Sequence, residues 1–333
     1  MTDNTWPTVD TELIDDVTLY SAKLIIPVTG PVIIDGAVAI HGDRVVHVGK
    51  RRWVLKALKQ EMTAHGTIHE RHWDGVLTPG LINAHTHLQY SGMVQVGQGT
   101  YDRFRAWELA FNEVYAEAQK TQPWKQWAED GARQMVESGT TAAADIVTDL
   151  DAAGALASQG MHGIAYWEVM GWHNAEWMEK GRTELIRQLR RMNEEQLPNL
   201  GISPHAPYTL ESEPFVDLPD IARQLNMRLH IHLAETPLEA GTYPPVLTTY
   251  SAADWSDHDW ESYRQLKEVG KGASAIQFVD QLGSLGPDVH IAHGVWANGE
   301  DRRILRQRGV GVALCPRSNR ITNTGKDAPV REY

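Results

Sequence analysis

The sequence predicts an α/β protein in which a small β module precedes a parallel sheet built from βα units. Residues 1–75 hold short Val- and Ile-rich runs punctuated by Gly, Pro and Asp. From Val76 onward, apolar runs of strand length alternate with amphipathic stretches of helix length. With 42% hydrophobic and 22% charged residues among 333, the chain has the composition of a folded protein with a substantial core.

In the first module LYSAKLIIPV, GPVIIDGAVAIHG and DRVVHVGK read as strands and 50–60 as one short helix. Beyond it, strands are predicted at 76–83, 141–146, 163–170, 200–204, 228–233, 289–294 and 309–314. Helices are predicted at 103–120, 124–138, 175–194, 212–225, 262–282 and 299–307. The strands are continuous apolar runs, as strands covered on both faces should be. Seven is one short of a closed eight-stranded barrel, and the sequence ends at Tyr333, where a seventh crossover helix should begin. An open sheet of this kind exposes two edges that a homo-oligomer could cover, though the sequence does not set the oligomeric state. Segment 237–261 lacks periodicity and is long for a connection, so it reads either as a lid or as a solvated surface insertion.

Lys plus Arg total 31 against 43 Asp plus Glu, a net charge of −12 with no basic run, which argues against nucleic-acid binding. The single cysteine, Cys315, excludes an internal disulfide, a Cys-rich zinc site and the nucleobase deaminases that hold zinc through Pro-Cys-x-x-Cys. The acidic, polar N-terminus is no secretory signal. The most apolar stretch, 24–40, is interrupted by Pro27, Gly30, Pro31, Asp35 and Gly36, which argues against a membrane span. A cytoplasmic protein without membrane partners is expected.

His85 and His87 stand two apart at the end of a predicted strand. Residues i and i+2 share a face, so both imidazoles can reach one ion, two neighbouring surface histidines being the alternative. In Arg228-Leu-His-Ile-His-Leu-Ala-Glu235, His230 and His232 likewise share a face. An imidazole followed three residues later by a carboxylate suits a metal ligand with a proton shuttle beside it. His232, nearer the strand end, reads as the ligand and His230 as a satisfied interior histidine. Glu235 could instead be an N-cap or first-turn carboxylate of the next helix. His293 ends another strand, while His290, of opposite parity, is expected to face the helix layer. Histidines at three strand ends favour a metal-dependent hydrolase over core packing. Trp107, Trp167, Trp172 and Trp296 could stack a planar ring or simply pack core and rim. Gly97 and Gly99 suggest a phosphate loop only weakly, and an ordinary loop explains them better.

Taken in order, PGLINAHTH, Gly-Thr-Thr at 139–141, SPHAPYT, HIHLAET, HIAHGVW and LCPRSN resemble the amidohydrolase superfamily. The resemblance is to its cytosine/guanine/S-adenosylhomocysteine deaminase and triazine chlorohydrolase group, and runs from about Leu19 to the last residue. It implies a TIM-like (β/α)8 barrel lacking its last strand over 76–333, preceded over 1–75 by the N-terminal part of a composite β-sandwich. It also implies one divalent metal ion, zinc before iron, held by His85, His87 and His232. Glu235 would be the proton shuttle, and His293 would orient the attacking water or polarise the substrate. His205 lies where related deaminases contact a substrate sugar or ring, and Glu168 and Trp107 join it as candidate substrate contacts. Arg317, Ser318 and Asn319 match a further motif of the group, and their residue types alone assign it no role.

The reaction so implied is hydrolytic deamination of a small adenosine-like compound, with triazine-type chlorohydrolysis as a variant in which chloride leaves. The family's strand-eight aspartate, in a Thr-Asp-Ser-like motif, has no counterpart: after Asn319 the carboxylate side chains are Asp327 and Glu332, and neither ends an apolar strand. On this reading the chain alone is expected to be weakly active or inactive. An inactive or partner-completed scaffold is the other reading.

Overall fold

Strands β1 (Ile14–Ile25), β2 (Ile33–His41) and β3 (Arg44–Lys50) form an antiparallel meander. Strand β4 (Met62–Leu77) pairs parallel to β1, giving the order β3-β2-β1-β4. The computed structural model describes residues 13–194, 197, 199–241, 266 and 269–333. Two compact units divide the chain, Met1–Gly80 and Leu81–Tyr333. In the first, helix α1 (Arg51–Glu61) buries Val54 and Leu58 in one cluster with Val17, Leu19, Ala37 and Ala39 of β1 and β2. The long β4 has no counterpart in the sequence reading. It is an edge strand and mostly exposed, so it carries none of the apolar alternation that marks a half-buried strand.

The second unit is a single parallel sheet whose strands follow chain order: β5 (Leu81–Thr86), β6 (Thr140–Val147), β7 (His162–Val169), β8 (Leu200–Pro204), β9 (Arg228–Leu233), β10 (Val289–His293) and β11 (Gly311–Ala313). Strictly sequential order means that every crossover runs the same way round, which is how a barrel is built. The sheet is nearly closed: the ring of His85 on β5 lies 5.5 Å from that of His293 on β10, although β6 to β9 lie between them in the sheet. Helices α2 (Phe104–Ala118), α3 (Trp124–Glu137), α4 (Arg182–Glu194), α5 (Ser212–Gln224), α6 (Ala275–Gln281), α7 (Gly299–Arg308) and α8 (Pro316–Ile321) come between or after the strands. Ile202, Leu229, Ile231, Val289 and Ile291 of the strands share one buried cluster with Phe215, Leu218 and Ile221 of α5 and Phe278 of α6. Each such side chain contributes about 1.5–3 kcal/mol on burial, so this cluster holds the strand ends in place.

Three predicted elements differ in detail. The run 76–83 is not one strand, because Pro79, which has no N–H to donate, stands between the end of β4 and the start of β5. The predicted helix 175–194 is interrupted by a π turn at Trp177–Gly181 before α4 begins. Of the predicted helix 262–282, residues 262–265, 267 and 268 lie outside the described residues. The rest is broken where Lys271 and Gly272 take positive φ, and α6 starts afresh with Ser274 Oγ accepting the Gln277 N–H. Of segment 237–261, residues 237–241 are described and include a 3-10 turn at Pro237–Glu239; the rest lies outside the described residues. No described helix is long and apolar enough to cross a membrane.

Candidate active site

The strand ends converge on a cluster of imidazoles. His85 lies on β5, and His87 follows it at the entry to a short turn whose first N–H, from Leu88, donates to the buried carboxyl Oδ1 of Asp145 on β6 at 2.9 Å. His232 on β9 faces them: its Nε2 is 3.1 Å from Nε2 of His87, and its ring centroid is 4.8 Å from that of His85. One ligand nitrogen from each of His85, His87 and His232 lies within 4.8 Å of the others.

These residues fit a divalent metal. Burial, reinforced by neighbouring imidazoles, holds His85 and His232 well below the ordinary histidine range and brings His87 down to about 3. All three are therefore neutral, the form that ligates. Nδ1 of His232 points at the carbonyl oxygen of His205 at 3.2 Å, so it carries the proton and leaves Nε2 as a bare lone pair toward the cluster. Nε2 atoms of two histidines bound to one tetrahedral zinc at ~2.0–2.1 Å stand about 3.3 Å apart, close to the spacing between His87 and His232. On its other side His85 Nδ1 meets His230 Nε2 at 2.8 Å, which orients the ring.

Glu235 and His293 complete the inner face. Glu235 is buried; its Oε2 accepts the hydroxyl of Tyr208 at 2.9 Å, and its Oε1 lies 3.4 Å from His293 Nε2. The loop carrying Glu235 is held by Glu239, whose carboxylate accepts the backbone N–H groups of Ala234, Glu235 and Thr236, each at 2.8 Å. The first-turn role considered for Glu235 thus falls to Glu239. Glu168, at the end of β7, is 3.8 Å from His232 Nδ1 and 4.0 Å from His205 Nε2. Its Oε1 has no partner, and burial pushes its pKa up to about 8. His205 is anchored by Thr209 Oγ1 at 2.7 Å.

Strand parity does not hold through β10. His290 pairs laterally with His230, and their rings lie 4.9 Å apart, so His290 shares the face of His230 instead of facing the helix layer. His293 nevertheless reaches the cluster because its φ of 76° turns the chain out of the pleat. His230 is not fully satisfied either: its buried Nδ1 has no partner. Among the tryptophans, Trp107 connects to the cluster through two rings, Phe111 at 5.5 Å and then Tyr90, which stacks on His87 at 5.6 Å. Trp167 packs against the main core cluster, Trp172 against Trp177, and Trp296 donates to the Thr324 carbonyl, which are packing roles. Arg317 and Ser318 are exposed, whereas Asn319 is buried and bonded to His293 at 2.8 Å. Asp327 pairs with Arg320 at the surface. Gly97 closes a four-residue helical turn.

The sequence pattern of the Amidohydrolase family matches residues 76–243. A 5-methylthioadenosine/S-adenosylhomocysteine deaminase of Moorella thermoacetica is 29% identical over 92% of this chain and 64% of its own length. A 5'-deoxyadenosine deaminase of Methanopyrus kandleri is 29% identical over 73% of this chain and 51% of its own. The chain thus spans between half and two thirds of the length of these relatives. Among solved structures, an aminofutalosine deaminase of Helicobacter pylori in complex with methylthio-coformycin superposes with a TM-score of 0.71 at 18% identity, over 95% of this chain and 73% of that one. A mutant atrazine chlorohydrolase of Arthrobacter aurescens complexed with zinc and atraton gives 0.72 at 18%, over 95% and 69%. At such identity these likenesses speak for the barrel fold alone. With a family match over half of its length on a parallel barrel of this kind, the chain belongs to the amidohydrolase family.

Proposed function

We propose that this site performs metal-dependent hydrolysis of a C–N bond, deaminating an adenosine-like small molecule. The observation that carries the proposal is the convergence of ligand nitrogens from His85, His87 and His232 beside a buried carboxyl and a further imidazole, Glu235 and His293. The names of the sequence relatives favour deamination over chlorohydrolysis. A divalent ion held by the three histidines, zinc before iron, would supply a water whose pKa is lowered toward ~7.

The proton that the water gives up, which the family's strand-eight aspartate would take, has no assigned acceptor among the described residues, so this chain by itself is expected to be weakly active. Water adds at the ring carbon that bears the exocyclic amine, and the bond from that carbon to the amine breaks, releasing ammonia. Glu235 gives a proton to the ring nitrogen and helps move another to the departing amine, its second oxygen being held by Tyr208. His293, whose ring lies 5.5 Å from that of His85 and 5.6 Å from that of His232, stands beside the attacked centre. Glu168, His205 and the Trp107 side of the cluster form the substrate wall. Glu168, neutral below pH 8, would donate a hydrogen bond there.

The test begins with the purified chain and a His85→Ala/His87→Ala control, with bound metal read by mass spectrometry. About one ion per chain, lost in the control, is expected. Amino-purine nucleosides are then screened for ammonia and a chlorotriazine for chloride. Ammonia release supports the reading, chloride alone replaces it with chlorohydrolysis, and bound metal without either product favours a scaffold. Failure of the chain to bind metal would sink it.

A further inference from the structure

Asn319 belongs to the LCPRSN motif, which no step above employs, yet it is buried within hydrogen-bond reach of His293. It sits on α8, a helix entered through Cys315 in a left-handed conformation with φ of 48°. Its amide is 3% exposed and bonded at both ends. Nδ2 donates to the carbonyl oxygen of Leu314 at 2.8 Å, and Oδ1 lies 2.8 Å from Nδ1 of His293. The first bond fixes which way the amide points. Turned over, Oδ1 would face the Leu314 carbonyl, two acceptors with no proton between them, and Nδ2 would be left against the imidazole.

An amide oxygen only accepts, so the proton in the second bond belongs to His293 Nδ1. In a neutral imidazole the other nitrogen is then the acceptor. That nitrogen, Nε2, is the one 3.4 Å from Glu235 Oε1. Glu235 Oε1, the other group facing the ring, stands at 3.4 Å, beyond the usual N–H···O range, so the 2.8 Å contact with Asn319 decides the tautomer.

We propose that Asn319 is a positioning residue that locks His293 in its Nδ1–H tautomer, so that Nε2 is the atom through which His293 exchanges a proton on the Glu235 side. The catalytic consequence rests on the hydrolase reading above; the tautomer does not, because it belongs to the chain whether or not substrate turns over.

The experiment labels all 15 histidines with ¹⁵N and reads ring tautomers by long-range ¹H–¹⁵N correlation in the full chain, with His293→Gln identifying the signals of His293. Wild type should show His293 as Nδ1–H, and Asn319→Ala should bring in the Nε2–H form. Asn319→Asp, which keeps an oxygen acceptor toward Nδ1 but sets its other oxygen against the Leu314 carbonyl, should keep a proton on Nδ1 at a cost in stability. On a substrate that turns over, kcat of Asn319→Ala should fall roughly 10- to 100-fold with KM and bound metal little changed, and Asn319→Asp should recover part of it. An Nε2–H signal in wild type, an unchanged tautomer in Asn319→Ala, or a kcat untouched by that substitution overturns the proposal. Should Asn319→Ala not fold, the wild-type spectrum still decides it, since an Nε2–H signal there overturns the proposal. Absence of turnover in wild type counts against the hydrolase reading, and the spectra alone then settle the tautomer.

Discussion

The hydroxyl of Tyr208 donates to Oε2 of Glu235 across 2.9 Å, and both side chains are buried. One carboxyl oxygen is thereby committed to the loop after β8, which leaves Oε1 to face His293. Tyr208→Phe keeps the ring and removes only the donor. Leaving a buried acceptor without its donor costs about 1–3 kcal/mol, so turnover should fall roughly 10- to 100-fold and urea stability by about 1–2 kcal/mol. Steady-state kinetics and an unfolding curve check this. Undiminished kcat would mean that Tyr208 serves packing alone.

Asp145 makes stability depend on pH. Burial raises its carboxyl from 3.8 to about 8, against the opposing pull of the Leu88 N–H. A carboxyl raised on folding binds its proton more tightly in the native state. Its contribution is complete below about pH 4, is lost progressively as pH rises, and levels off above 8. Asp145→Asn keeps an acceptor for Leu88 and cannot ionise. It should therefore lose less stability than wild type between pH 5 and 8.5, measured as urea midpoints across that range. Parallel curves for the two proteins would refute the assignment.

Gly163 opens β7 opposite Ala143 of β6 with φ of 141°, and a Cβ there would stand 2.0 Å from the Ala143 carbonyl oxygen. Gly163→Ala must push two barrel strands apart, a destabilisation of about 1–3 kcal/mol or more. Gly139 also has a positive φ, 84°, but an added Cβ meets nothing within 4 Å. Gly139→Ala should consequently lower the melting temperature less than Gly163→Ala does. The reverse order would contradict the close approach of β6 and β7.

Much of the site is readable from strand periodicity. His85 and His87 share a face because a strand alternates every residue, and the apolar runs before them and before His232 place them at strand ends. The same rule fails for His293 and His290, since it assumes that the strand stays in the pleat and His293 does not. It gives no sign of β4 either, because an edge strand with little buried surface needs no apolar alternation.

Tyr208, Glu239 and Asn319 belong to another category. Each lies in a loop or short helix after a strand, and local sequence shows only a polar or aromatic residue near a turn. Their partners are set by which strands are neighbours and by how far the sheet curls. Tyr208 reaches across from the connection after β8 to Glu235 after β9, and Asn319 reaches from α8 to His293 on β10. Periodicity along one strand is a local property, so the chain's own pattern was enough to set His85, His87 and His232 at the ends of strands and to give the parallel βα architecture. Hydrogen-bond partners between loops depend on closure of the barrel, which is a property of all its strands together, and only the folded structure could assign them.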